Sequence, residues 1–342
     1  YIWLSLFNWL PFIIIAWGLR IYLLHIEQRI VFSKYLIAGT MPVLFSCIIQ
    51  LWFGIDEGPY SILNELIIWF QYPIKEVGGL TGLFNNQNVT GMWLSISLAL
   101  GIGLIKEENN KLSKISLIAI ITLIIYFIFL TNSRNAFIGL LIALLISTGI
   151  KRSFLTLVSF FSFFYFTNIL HVYQNKSYFS SIPFKLLNKF ELNYGFFEDR
   201  IFIWNEAIKL ILRRPLFGWG GSTFSYLIPK NEIGFTANHT HNIALELAYS
   251  FGIPVLLLLT FFTINLARKS FKKIFLENKH DILTNFDKSW FLSFVIIFVS
   301  HTTDMTFFDG RISLILAIII SGLINIIYVP NKLKVNPNYL LN

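Results

Sequence analysis

The stretch "ISLIAIITLIIYFIFLTNSRNAFIGLLIALLISTGI", residues 115–150, consists of two apolar runs joined only by "TNSRN" (131–135). A run of about 17–25 apolar residues is a membrane-span candidate, and so short a link forces two such helices into a hairpin. The second run, 135–150, is short, and a thinner bilayer or snorkelling neighbours accommodate it. The rest of the chain agrees with a membrane reading. Hydrophobic residues make up 55% of the 342, with 36 phenylalanines and 9 tryptophans, and only 13% are charged. Soluble domains carry about 25% charge, so this chain needs lipid as part of its solvent. The +9 formal charge does not mark a nucleic-acid binder, because the cations sit in short segments between apolar runs. The one cysteine, Cys47, excludes an internal disulfide and a cysteine metal cluster. No cleavable signal peptide is expected, since Arg20 follows the first apolar stretch instead of preceding it, and the start at Tyr1 leaves room for helices upstream.

Working outward, span-like runs lie at about 2–24, 35–53, 88–105, 115–131, 135–150, 153–173, 244–266, 290–304 and 311–329. The expectation is an all-α polytopic membrane protein with about nine transmembrane helices, forming a single membrane domain over 1–342. The 60–72 stretch is shorter and holds Asn64 and Glu65, which favours an interfacial or re-entrant piece over a tenth span. Alternation puts 25–34, 106–114, 151–152, 267–289 and the tail from Asn331 on one side. The short basic loops all fall there, which marks it as cytoplasmic. The opposite side receives 54–87, the 132–134 link, a long loop at 174–243 and 305–310. That long loop is expected to be partly helical, because extended structureless loops are uncommon in compact proteins. Within "FFEDRIFIWNEAIKLILRRPLFGWG" (196–220), Ile201, Trp204, Ile208 and Ile211 or Leu212 recur at helical spacing, and Pro215 and Gly218 stop the helix. Its apolar side faces the bilayer surface or a cavity wall.

A few polar residues at the outer ends of spans carry the chemistry. Arg134 starts a helix beside the possible caps Asn132 and Ser133; it is either an interfacial arginine or an anion ligand on a positive helix end. Arg200 opposes the dipole of its helix, whereas Arg213 and Arg214 complement theirs, so Arg200 asks more strongly for a function. His239 and His241 lie in "NHTHN" (238–242), with Glu246 one turn into the next helix. They can be solvated loop residues, zinc ligands, or groups that bind or deprotonate a sugar hydroxyl. Zinc is disfavoured because a third and fourth ligand are not evident nearby. Glu246 is placed to pair with an arginine or orient His241. Asn88, after "GLFNNQ" (82–87), is a candidate cap or carbohydrate ligand. In "HTTDMTFFDGR" (301–311), Asp304 is a candidate arginine partner, Asp309 a cap, and Arg311 an interfacial group.

In order, "TNSRNAF" (131–137), "EDRIFIWNEAIKLILRRPLFGWG" (198–220) and "HTHNIALELAYSFGI" (239–253) make the chain resemble the O-antigen ligase / Wzy polymerase superfamily, from 82 to the final span. The resemblance implies a lipid-linked glycan transferase of the bacterial inner membrane, similar to the GT-C type, with its active site facing the periplasm. It implies a donor glycan on undecaprenyl pyrophosphate and, for a ligase, a lipid A–core hydroxyl as acceptor. A polymerase would use a second lipid-linked glycan. The implied reaction is inverting, with no metal or other cofactor. Arg134 and Arg200 correspond to arginines that hold the pyrophosphate, Trp204 to the loop tryptophan, and His241 to the histidine near the acceptor, followed by Asn242. His239, Asn242, Glu246, Arg213, Arg214, Asn88, Trp204 and Arg311 are the substrate-binding candidates. Val255 stands where the ligase pattern expects glycine, threonine or tyrosine, which brings the polymerase close. A non-catalytic lipid-glycan transporter would instead place paired ionisable groups at the membrane midplane.

Overall fold

The computed structural model describes residues 2–53, 60–62, 67–69, 78–84, 86–149, 151–152, 154–159, 162, 194–229, 237–277 and 284–328. Helix α1 (Ile2–Gly18) leads through a 3-10 turn into α2 (Ile26–Ile48), which a π-type turn prolongs to Phe53. Strands β1 (Tyr60–Ile62) and β2 (Ile67–Trp69) pair antiparallel, Tyr60 opposite Trp69, where the sequence suggested an interfacial or re-entrant piece. Then come α3 (Gln87–Glu107), α4 (Lys111–Leu130), α5 (Arg134–Thr148) and the loop helix α6 (Tyr194–Arg213). The chain continues through α7 (Ile243–Phe251), α8 (Ile253–Phe271, prolonged to Glu277), α9 (Thr284–Ser300) and α10 (Gly310–Tyr328).

The structure corrects the expected count of about nine spans. Among the described residues five helices are long and apolar enough to cross a membrane: Ile26–Phe53, Gln87–Glu107, Lys111–Leu130, Ile253–Glu277 and Gly310–Tyr328. The shortfall has physical causes. Helix α5 has 15 residues and α1 and α9 have 17 each. At the helical rise these reach about 22–26 Å, short of a hydrocarbon core of about 30 Å. The expected 244–266 span is broken at Gly252, where φ is +90° and a side chain would strike the Leu216 carbonyl. The span itself starts only at Ile253, with Pro254 in its first turn. The 153–173 run lies largely outside the described residues, as do 174–193 and 230–236 of the long loop. The GT-C likeness, which the resemblance implied, is not supported by this smaller set of spans.

Helix α3 sits at the centre, with α2, α4, α5 and α9 packed around it. Buried hydroxyls knit these contacts: Thr40 and Ser97 are 2.9 Å apart, and Ser95 Oγ donates to the Ala136 carbonyl at 3.2 Å. By contrast, Leu257, Leu258 and Phe261 of α8 and Leu112 and Ile115 of α4 point outward and are exposed. Exposed apolar side chains of this kind on long apolar helices suit lipid, not water.

Side-chain contacts define two ends of the bundle. At one, Arg29 meets Asp287 at 2.8 Å, Lys34 meets Glu108 at 3.7 Å, Lys106 Nζ donates to Ser147 O at 2.9 Å, and Lys269 Nζ to the Tyr328 hydroxyl at 3.1 Å. At the other, Ser133 meets Asn88 and Asn242 meets Thr302. Basic residues collect at the first end, and the candidate residues Arg134, Arg200 and His241 at the second.

Candidate active site

Two helix starts and one turn build the site. At the first start, Asn132 adopts a left-handed φ of +55°, which turns α4 into α5 within a few residues. Ser133 caps α5, accepting from Ala136 N at 3.4 Å, and donates to Asn88 Oδ1 at 2.8 Å. Arg134 is thereby fixed at the first position of α5, half-buried. Asn88 lies inside the first turn of α3; the cap is Asn86, which accepts from Asn88 N at 2.8 Å and Val89 N at 3.4 Å.

At the second start, Asn242 caps α7, its Oδ1 accepting from Ala244 N at 2.9 Å and Leu245 N at 3.1 Å. Its Nδ2 donates to the Thr302 carbonyl at 2.8 Å. The residue before it, His241, has φ +53°, an uncommon conformation for a non-glycine residue. Neighbouring groups hold it there. His241 N donates to His239 Nδ1 at 3.3 Å, Thr240 N to Glu246 Oε2 at 3.0 Å, and Trp204 Nε1 to Thr240 O at 3.0 Å. Glu246 also accepts from Ser250 Oγ at 3.3 Å. Among the described residues it pairs with no arginine, and it braces the turn from below. Burial raises its pKa, against the hydrogen bonds from Thr240 and Ser250.

The turn after α9 draws these pieces together. Each residue of "HTTD" (301–304) binds a different partner. His301 O accepts from Ile243 N at 2.9 Å, and Thr302 O from Asn242. Thr303 O accepts from Arg200 Nη1, while Thr303 Oγ1 donates to Asn135 Oδ1 at 2.7 Å, next to Arg134. Asp304 Oδ1 lies 3.1 Å from His241 Nδ1 and accepts from Met305 N at 2.8 Å. Helices α5, α6 and α7 are thus fastened to one short turn. The His241 side chain keeps 27% of its surface exposed, whereas that of Asp304 keeps 9%.

Electrostatics follow from that placement. Burial would raise the pKa of Asp304, but the hydrogen bond and charge of His241, the Met305 N–H and Arg200 outweigh it and hold the carboxyl below its ordinary value. An ionised Asp304 makes His241 Nδ1 the donor, leaving Nε2 with its lone pair free of that bond. His239 is pushed down to about 4 by burial and by the neighbouring His241, so it is neutral at physiological pH. Because its Nδ1 accepts from His241 N, its proton lies on Nε2. Burial lowers the pKa of Arg200; Asp304 opposes that shift and Arg134 adds to it. The two guanidiniums are therefore close enough to repel, an arrangement an anion between them would relieve.

Of the candidates from sequence, Arg134, Arg200, His239, His241, Asn242, Glu246 and Trp204 converge here, and Asn88 joins through Ser133. Arg213 and Arg214 do not. Both are exposed at the far end of α6, where Arg214 lies over the Trp219 ring at 4.1 Å. Arg311 is tied to Asp309 at 2.5 Å, to the Leu83 carbonyl at 3.3 Å and to the Phe84 ring at 4.2 Å. Asp304 is the residue whose role the sequence hid: it was expected to meet an arginine, and its hydrogen-bonding partner is His241. The available signal was an acidic residue in a short polar turn between two apolar helices.

Residues 117–260 match the O-antigen ligase family model, covering the α4–α5 hairpin, Arg200 and the His241 turn. That stretch of the chain is similar to the O-antigen ligase family. Comparison with curated proteins gives no significant match. The match supports, in general terms, an O-antigen-ligase-like glycosyltransferase role for this polytopic membrane protein. The match ends before Asp304, so the carboxylate partner of His241 comes from outside the matched segment.

Proposed function

We propose that this protein transfers a glycan from undecaprenyl pyrophosphate to a sugar hydroxyl of lipid A–core, at the periplasmic face of the inner membrane. The observation that carries the reading is the His241–Asp304 pair at 3.1 Å on the same turn that anchors Arg200. His241 Nε2 takes the proton of the acceptor hydroxyl as its oxygen attacks the anomeric carbon. The bond from that carbon to the phosphate oxygen breaks, and the lipid diphosphate leaves with the bonding pair. Asp304 balances the charge of the imidazolium, and the proton then passes to solvent. Arg134 and Arg200 stabilise the departing diphosphate, the preorganised contribution that usually dominates such reactions. One displacement from the opposite face inverts the anomeric configuration. The collection of cations at the other end of the bundle supports a periplasmic site, because basic loops stay cytoplasmic.

A polymerase reading, with a second lipid-linked glycan as acceptor, is favoured by Val255, which departs from the ligase pattern. Purified protein given a lipid-diphosphate glycan in EDTA, with lipid A–core or a second lipid-linked glycan as acceptor, separates the two. We expect metal-independent transfer to lipid A–core with inverted linkage. Products extended only on the lipid-linked glycan would establish the polymerase, and transfer to neither acceptor would overturn both.

A further inference from the structure

The outward face of α6 is divided lengthwise. Asn205, Lys209 and Arg213, four residues apart, form a polar row. The adjoining flank carries Ile201, Ile208 and Leu212, all exposed, and Leu216 and Phe217 extend it beyond the helix end, with Phe217 87% exposed. The opposite side of α6 is already occupied: Ile203, Ala207, Leu210 and Ile211 are buried in a cluster with Phe224, Ala248 and Tyr249. The exposed apolar flank is therefore additional to the surface that folds the loop.

Its position relative to span α8 is fixed by backbone contacts. Pro215 O accepts from Ile253 N at 2.7 Å, Trp219 N donates to Tyr249 O at 2.8 Å, and Gly220 N to Ser250 O at 3.0 Å. Ile253 is the first residue of span α8, so Leu216 and Phe217 sit beside the start of that span. One to two turns deeper, Leu257, Leu258 and Phe261 of α8 are exposed on its lipid-facing surface. The C-terminal end of the apolar flank of α6 thus adjoins the start of α8, above its exposed apolar surface. Arg213 and Arg214 lie exposed at the helix end, and the guanidinium of Arg214 is held over Trp219 at 4.1 Å. Cationic and indole groups beside an apolar stripe are what a phospholipid interface accommodates.

We infer that the bilayer itself is the partner of this face. Ile208, Leu212, Leu216 and Phe217 enter the acyl–headgroup boundary, Asn205 and Lys209 stay in water, and Arg213 and Arg214 meet lipid phosphates. This contact with lipid holds α6 at a set height, and with it Arg200 nearer the other end of the helix. This inference needs only that α8 spans the membrane, and stands apart from the glycan-transfer reading.

The test uses the full chain in vesicles of phosphatidylethanolamine and phosphatidylglycerol. A nitroxide is placed in turn at Phe217→Cys, Leu212→Cys, Asn205→Cys and Lys209→Cys, with Phe261→Cys as the lipid reference. Cys47 is buried, and the unaltered chain supplies the blank. Collision with oxygen relative to a water-soluble nickel complex should be several-fold higher at 217 and 212 than at 205 and 209, approaching the value at 261. Equal ratios in both rows would overturn the inference. Exclusion of both reagents at 217 and 212 would also overturn it, by showing protein, or a second copy, in place of lipid.

Discussion

Replacing Asp304 with asparagine isolates the charge of the His241 partner while keeping its shape. The amide oxygen introduced by Asp304→Asn can still accept from Met305 N and from His241 Nδ1, so the turn is retained. What disappears is the negative charge beside an imidazole that, in the proposed mechanism, becomes cationic during transfer. With 3.1 Å between the bonded atoms, the charge centres lie about 4 Å apart, worth about 4 kcal/mol at an effective dielectric near 20. His241 is 27% exposed on its side chain. Solvent screening reduces the loss to about 2–3 kcal/mol, or roughly 30- to 150-fold in kcat. The KM for the lipid-diphosphate donor should stay constant or fall, because Arg200 loses a competing anion. The assay is steady-state transfer by reconstituted protein at saturating acceptor, with melting temperature as the control for folding. A kcat within about threefold of wild type, or a loss carried wholly by donor KM, would refute the assignment of Asp304 as the charge partner of His241.

The arginines should divide by position: Arg134→Ala and Arg200→Ala each lower kcat by about 10²–10³, whereas Arg213→Ala and Arg214→Ala leave the chemical step nearly unchanged, as single-turnover transfer would report. Glu246→Ala strands the buried Thr240 N–H, and thermal unfolding should show a loss of about 1–3 kcal/mol, less for Glu246→Gln, which keeps an acceptor. Stability should also fall with acidity. Burial holds His301 at about 4 in the folded chain against its ordinary 6.5. The unfolded chain therefore binds this proton first as pH drops. Stability from this source is full above 6.5, declines between 6.5 and 4, and is gone below, a change of about 3 kcal/mol readable by unfolding across that range.

Much of this arrangement was legible in the residues. Basic loops sorted to one side fixed which helix ends lie together, because that bias acts locally and leaves a mark in sequence. The capped start "TNSR" and the stop at Pro215 and Gly218 were readable for the same reason. Helix length across the bilayer was less legible. The 244–266 stretch is predominantly apolar, and only Gly252 followed by Pro254 signalled that one helix ends and another begins. The start of α3 was displaced by two residues, since Asn86 and Asn88 are equally good caps in isolation and packing against Ser133 selects between them. Asp304 was hidden for a deeper reason. Its partner lies 63 positions away, and no local pattern declares that the turn after α9 folds onto the start of α7. The exposed flank of α6 was only half visible, because helical periodicity marks apolar positions without saying which face the protein core and which face lipid.

The central claim is that His241 acts on the acceptor hydroxyl, and it is tested most directly by donor turnover in purified His241→Ala and His241→Gln. Both variants should bind the lipid-diphosphate glycan as wild type does and lose transfer at saturating donor and acceptor. Transfer at the wild-type rate by either variant would contradict it.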